Sequence, residues 1–372
     1  MAARVERLIW RDLSWGELQL PDRSVQLTRG LASGLTRRTG DAPGRFFAVT
    51  DRGPNLFVST MVDEYHLVHL EPLRSISGAK IMPKPDDGPM VTAMTLVGDR
   101  LAVEASFALR TRHGRRISGA PLPGRDGEPL FDLQGQRLSA DVLGADTEAI
   151  AAMPDGGFFV AEEYGPSLLK ADAMGVVSER WVAAGREAEL THPDMLVRGV
   201  LPAAMSQRRA NRGLEALCAS ADGAWLFAGM QSALAGQDER WVPLWKLDAR
   251  TGALAGDYRY AFDEPASFRR DAARRKVGLS DLKICEIAWA GEDRLIVLER
   301  IAHTTKLYAV ELRRLPEKHL LLSSDDHPEM GPDMEGMVIL SPDTLVMATD
   351  NDFGIEGAKT EFWRITFDQP VM

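Results

Sequence analysis

Residues 148–163 read Glu148-Ala149-Ile150-Ala151-Ala152-Met153-Pro154-Asp155-Gly156-Gly157-Phe158-Phe159-Val160-Ala161-Glu162-Glu163. An acid opens the stretch, an apolar run follows, Asp-Gly-Gly supplies turn chemistry, and a second apolar run ends on two acids. Asp-Gly between apolar runs of strand length signals a β-hairpin, because glycine adopts the positive φ that tight hairpin turns demand. The same order of parts recurs downstream. Glu215-Ala216-Leu217 leads through Asp222-Gly223 to Gln231, Glu286-Ile287-Ala288 through Gly291-Glu292-Asp293 to Glu299, and Glu335-Gly336-Met337 through Ser341-Pro342-Asp343 to Asp350. Two weaker copies precede them, Ser33-Gly34-Leu35 leading to Asp51 and Thr92-Ala93-Met94 leading to Glu104.

The six anchors recur about every 60 residues, a period that suits a four-stranded blade with its loops. The predicted fold is therefore all-β: one β-propeller over residues 1–372, with six four-stranded blades. Too little chain follows the last anchor to finish a blade, so the strand-like stretch from Val5 to Leu27 is expected to close the ring. Longer spacings mark insertions near 187–210 and 262–282 as candidate lids. The first carries a helix-like run from Met195 to Arg209, interrupted by Pro202.

Composition narrows the class. With 45% hydrophobic and 26% charged residues in 372, the chain has the make-up of a globular protein rather than a disordered or fibrous one. The 54 acids against 44 bases leave a net charge of −10, which disfavours a nucleic-acid partner. The richest basic run, Arg269 to Lys276, is short and interrupted, and reads as a solvated face. No apolar stretch is long enough to span a bilayer. The N-terminus lacks the apolar segment of a secretory signal, so the chain reads as cytoplasmic, or as periplasmic or secreted if a leader has been removed. Cys218 and Cys285 lack metal-type spacing and read as buried thiols.

In a propeller the innermost strand of each blade begins where the next strand ends. The first and last residues of the six hairpins, Ser33 with Asp51, Thr92 with Glu104, Glu148 with Glu163, Glu215 with Gln231, Glu286 with Glu299 and Glu335 with Asp350, should thus gather at one mouth of the channel. Carboxylates crowded and partly buried raise one another's pKa, so a positive partner is expected among them. A hard cation with oxygen ligands answers that need, Ca²⁺ first, with Mg²⁺ or Mn²⁺ also fitting the donor type. The expected ligands are Asp51, Glu148, Glu215, Glu286, Glu335 and Asp350, with Asn211 and Asn351 as neutral donors. Arg52, Arg212 and Arg300 flank the ring and would hold a substrate anion. No Gly-x-Ser-x-Gly elbow is present.

The chain resembles the phytase-like family described as having esterase-like activity. The carriers are Phe47-Ala48-Val49-Thr50-Asp51-Arg52-Gly53, Asp146-Thr147-Glu148-Ala149-Ile150 with Val160 to Gly165, Arg208 to Glu215, Leu298-Glu299-Arg300, and Met334-Glu335-Gly336-Met337 with Thr349 to Gly354. The resemblance implies a β-propeller and a hydrolase of phosphate or carboxylic esters. Joined to the acidic ring, it leads to the expectation of metal-assisted hydrolysis of a small anionic ester, with Glu163 or Glu299 as base and Arg52, Arg212 and Arg300 stabilising developing charge. The competing expectation is a non-catalytic ligand-binding or scaffold propeller with a structural metal.

Overall fold

A computed structural model describes residues 2–124, 128–355 and 357–371. The chain is all-β. Five sheets, each built on four antiparallel strands in up-and-down order, carry the architecture, and sheet II adds Arg110–Thr111 and Leu196–Leu201 in parallel to its outer strand. Sheet I holds Gly34–Thr36, Arg45–Val49, Met90–Val97 and Arg100–Ala108; sheet II holds Thr147–Ala152, Phe158–Glu162, Ser167–Ala171 and Val176–Ala183. Sheet III comprises Leu214–Ala219, Trp225–Met230, Trp241–Asp248 and Leu254–Ala261, and sheet IV Lys283–Trp289, Arg294–Arg300, Thr305–Glu311 and Lys318–Ser323. Sheet V joins Met334–Ser341, Thr344–Thr349 and Phe362–Phe367 to Ala3–Arg7, which pairs antiparallel with Phe362–Phe367.

The leading strands of the five sheets stand side by side. They neighbour one another in the order I, II, III, IV, V, and that of V also packs on that of I. Close approach explains the small residues along them. At Gly34 a Cβ would lie 2.7 Å from the Ala149 Cα, so sheets I and II can meet there only without a side chain. Apolar residues between successive sheets form the core, the largest cluster running from Ala149 through Phe227 and Tyr260 to Val310.

Among the described residues there are five such sheets, not six. The Thr92 to Glu104 hairpin opens no sheet: it is the outer pair of sheet I, and Glu104 lies on the surface beside Arg45 and Thr95. The missing leading strand is replaced by chain inserted between the second and third strands of sheet I. That insertion holds Leu56–Phe57, the helix Val58–Asp63, the 3₁₀ segment Val68–Ser75 and Lys80–Ile81, and Leu130–Phe131 pairs with it. With the hairpin Ser14–Gln19/Ser24–Thr28 these elements form a cap around their own apolar cluster, including Leu27, Met61, Leu70 and Ile81.

The two expected insertions are smaller features. Residues 187–210 carry a 3₁₀ turn at Glu187–Leu190 and the strand Leu196–Leu201, parallel to Val176–Ala183, where a helix-like run is predicted; Pro202 follows the strand and Ala203–Gln207 makes a second 3₁₀ turn. The basic run opens on the short helix Arg269–Ala272, which is tied down rather than free, Arg270 donating to the Met330 and His327 carbonyls at 2.9 and 2.7 Å. Cys218 and Cys285 are free, buried thiols. No described helix is long and apolar enough to cross a membrane.

Candidate functional site

Strand register defines the site. In four leading strands one residue bulges out of the pairing with the second strand: Glu148 in sheet II, Glu215 in III, Cys285 in IV and Glu335 in V. Ser33, just before Gly34, holds the equivalent place in sheet I. A bulge turns its side chain out of the regular alternation, which is how acids on short strands come to face one another at a common end. The register equivalents at the far ends of the second strands, for sheets I to V, are Asp51, Glu163, Gln231, Arg300 and Asp350.

The expected pairs at Ser33/Asp51, Glu148/Glu163, Glu215/Gln231 and Glu335/Asp350 thus come together. Sheet IV departs from expectation, because its bulge is Cys285 and not Glu286. The Glu286 carboxylate is fully buried and accepts from the Leu35 and Ile287 amides, each at 3.1 Å. Its register equivalents are Gly34, Ala149, Ala216 and Gly336, whose small size leaves room for one long side chain to reach across. Glu286 therefore fastens strands, its carboxylate taken up by backbone amides. Glu299 is likewise spent: it accepts from the Tyr260 hydroxyl at 2.5 Å, Lys318 Nζ at 2.7 Å and the Asp263 amide at 2.8 Å. Although it pairs in register with Ile284 beside the Cys285 bulge, its side chain is turned to these partners between sheets III and IV. Asn351 also drops out, its amide donating to Thr28 and the Arg29 carbonyl and accepting from the Phe353 amide.

Three acids form the tightest group. One oxygen each of Asp146, Glu148 and Glu163 lies within 4.8 Å of the other two. Burial pushes Glu148 well above the usual carboxylate range, and Glu215, Asp146 and Glu163 add like charge. Burial and then Asp146 push Glu163 up to about 7. Burial followed by Glu163 and Glu335 raises Glu215, and burial followed by Asp146 raises Asp51. Asp350 is raised by burial and then by Glu335 and Asp51. Buried acids crowded in this way oppose one another's ionisation unless positive charge stands among them.

The resident cations compensate only part of this charge. Arg52 lies 2.9 Å from Asp146 and 2.5 Å from Glu128, and Arg300 bonds Glu335, Asp333 at 2.8 Å and the Cys285 sulfur at 3.1 Å. Both guanidiniums hold protein acids in place. Arg212 gives its donors to the Leu282 and Ser280 carbonyls at 3.1 and 3.0 Å, which anchors it at the start of sheet IV. Lys283, paired in register with Arg300, makes no hydrogen bond or ion pair among the described residues, and its charge acts on Glu215 and Glu335.

Buried atoms with no partner point into the same end: Glu215 Oε2, Gln231 Oε1 and Ser33 Oγ. The Asn211 amide, on a left-handed turn at φ +52°, has one atom 2.8 Å from Glu128 and 3.0 Å from Glu163. With nitrogen there it donates to both acids; with oxygen there it joins them as a third oxygen donor. An all-oxygen set with orphaned acceptors fits a hard divalent cation.

Sequence reasoning missed Asp146, Glu128, Lys80 and Lys283. Asp146 stands two residues before the Glu148 anchor, and that spacing on an extended chain was its one signal. Glu128 and Lys80 come from the cap, outside every repeat.

A family model described as "Phytase-like: Esterase-like activity of phytase" matches residues 27–353. No curated protein matches the chain. Among solved structures, the PQQ-bound aldose sugar dehydrogenase of Streptomyces coelicolor is similar at 12% identity and a TM-score of 0.37, over 98% of each chain. The Malassezia sympodialis allergen Mala s 1 is similar at 11% identity and a TM-score of 0.39, over 94% of this chain and 82% of that one. The β-propeller domain of Myceliophteria thermophila Cps50 (Swd1) is similar at 14% identity and a TM-score of 0.36, over 95% and 99%. The acids that meet at the bulges and at the far ends of the second strands lie within the matched residues, and the chain belongs to the Phytase-like family.

Proposed function

We propose that this chain hydrolyses a phosphate or carboxylic ester of a small anionic substrate, with a divalent cation, Ca²⁺ first, held at the shared end of the leading strands. In this reading the five sheets are blades of one propeller, closed by the N-terminal strand, and the acids ring one mouth of its channel. The observation that carries the proposal is the convergence of Asp146, Glu148 and Glu163 within 4.8 Å, beside a Glu215 oxygen that has no partner.

Asp146, Glu148 and Glu163 would hold the cation, with Asn211 as a neutral donor and Asp51, Glu335 and Asp350 lending charge around it. When bound, the cation supplies polarisation of the ester's phosphoryl or acyl oxygen. Glu215 would take the proton from water through its free Oε2 as the water oxygen bonds to the phosphorus or acyl carbon, and return that proton to the alkoxide released when the ester bond breaks, a role that needs a carboxylate in reach and not tied up elsewhere. Arg52 keeps Asp146 and Glu128 oriented, and Arg300 does the same for Glu335. Lys283 and the Arg212 edge meet the substrate anion.

The test is turnover of phosphomonoester, phosphodiester, lactone and aryl-ester substrates by chelated protein, then by protein reloaded with Ca²⁺, Mg²⁺ or Mn²⁺. At least one ester should be hydrolysed only after reloading, and Glu215→Gln should lower kcat by about 100-fold or more with metal binding retained. Equal activity in both states would sink the proposal. The engagement of Arg52 and Arg300 by protein acids favours a second reading, a structural cation in a binding propeller. That reading predicts a metal-dependent rise in Tm without turnover of any ester.

A further inference from the structure

The leading strands end, some four residues beyond the bulges, at a second opening about 13 Å from the first by strand geometry. Residues from all five sheets line a cavity of about 560 Å³ there, and none of the acids described above reaches it. Its inner side includes Leu35 and Ile287, whose amides bond Glu286, so that carboxylate lies between the two ends. The wall is mainly apolar, with Leu35, Ile287, Trp289, Met337 and Leu340, and among the described residues no Asp or Glu lines it. The charged groups in the lining are Arg37 and Arg38.

These two arginines differ. Arg38 is committed, bonding the Met153 and Gly156 carbonyls at 2.9 and 2.6 Å and lying 3.7 Å from Asp41. Arg37 donates to the Leu340 and Asp41 carbonyls at 3.0 and 3.2 Å, has a buried Nε without a partner, and forms no ion pair among the described residues. A guanidinium fixed by neutral carbonyls keeps its full charge, and here it stands at the rim of an acid-free apolar cavity. In a protein of net charge −10, an acid-free lining with an arginine at its rim sets this opening apart.

We infer that this second opening is a binding site for an amphipathic anion, a carboxylate on an unbranched apolar chain, whose head meets Arg37 and whose tail lies against Leu35, Ile287 and Met337. The volume falls in the range of small-molecule pockets, and an apolar lining with one oriented charged group is how such pockets fix a ligand's direction. The site is independent of the proposed hydrolytic centre.

Decanoate binding by the full-length protein, followed by titration calorimetry and by the fluorescence of the tryptophans, of which Trp289 lines the cavity, tests this inference. Decanol serves as the uncharged arm. Decanoate should bind saturably at one per chain, and Arg37→Met should weaken it about tenfold or more while leaving decanol unchanged. Arg37→Lys should keep part of the affinity. Ala221→Trp, at the half-buried rim, should weaken both ligands, and Glu148→Gln at the other end should affect neither. Absence of saturable decanoate binding, or binding indifferent to both Arg37→Met and Ala221→Trp, would overturn the inference.

Discussion

At the scale of single residues, the difference between a ligand and a fastener is one position along a strand. Glu286 and Glu335 look alike in sequence, each an acid ahead of an apolar run, yet one serves backbone amides and the other faces Arg300. Side chains alternate every residue, so a one-residue shift of the bulge sends an acid to a different neighbourhood. Nothing in the local sequence announces that shift, because a cysteine can occupy the bulge as readily as an acid. The assignment is testable. Glu286→Ala should leave at least two buried amides unpaired, at about 1–3 kcal/mol each. Glu286→Gln keeps an acceptor of the same shape and should cost far less, since burial already pushes the carboxyl well above the usual range toward its neutral form. Denaturant unfolding measures both variants. Cation affinity, measured by calorimetry on the Gln variant, should equal that of the parent; a large loss there would return Glu286 to the ligand set.

Between elements, the site depends on loops brought against strand ends. The turn before sheet III meets the end of the second strand of sheet II at Gly213, whose amide donates to Glu163 Oε2 at 3.0 Å. A Cβ at Gly213 would stand 2.3 Å from the Glu163 carbonyl oxygen and 2.5 Å from its Cα, both backbone atoms that cannot swing aside. Gly213→Ala should therefore displace Glu163, lowering stability by about 1–3 kcal/mol as overpacking does and weakening cation binding. Unchanged affinity in a folded Gly213→Ala protein would show that Glu163 is not held by this contact. Legibility follows the same division. The hairpins of sheets II, III and V were readable because apolar runs, turn residues and terminal acids repeat in step. Sheet I was readable only in its first hairpin, since the cap lies between its second and third strands and lets Thr92 to Glu104 imitate a new repeat. Glu128 and Lys80 arrive at the site from that cap through tertiary packing, which leaves no periodic trace in sequence.

For the whole molecule, the crowding of raised acids at one end makes stability respond to pH in a way that a bound cation should reverse. Asp51, Glu148, Glu163, Glu215 and Asp350 all hold their protons more tightly folded than unfolded. An acid with a raised folded pKa contributes stability that is fully present below the unfolded value near 4.5 and is lost as pH rises through the folded value. For Glu163 that window runs from about 4.5 to about 7. Metal-free protein should accordingly lose stability between pH 5 and pH 7, by about 1.4 kcal/mol per pH unit for each proton the folded chain retains and the unfolded chain has released. Cation binding requires the ionised acids, so it must expel those protons, and its stabilisation should grow over the same interval. Thermal unfolding with chelator and with saturating Ca²⁺ should give Tm curves that diverge as pH rises, and Glu163→Gln should flatten the chelator curve near pH 7. Calorimetry in buffers of different ionisation enthalpy should detect proton release on cation binding. A metal-free Tm that climbs from pH 5 to pH 7, with a Ca²⁺ shift constant across that range, would mean that these acids neither share protons nor give them up to a cation.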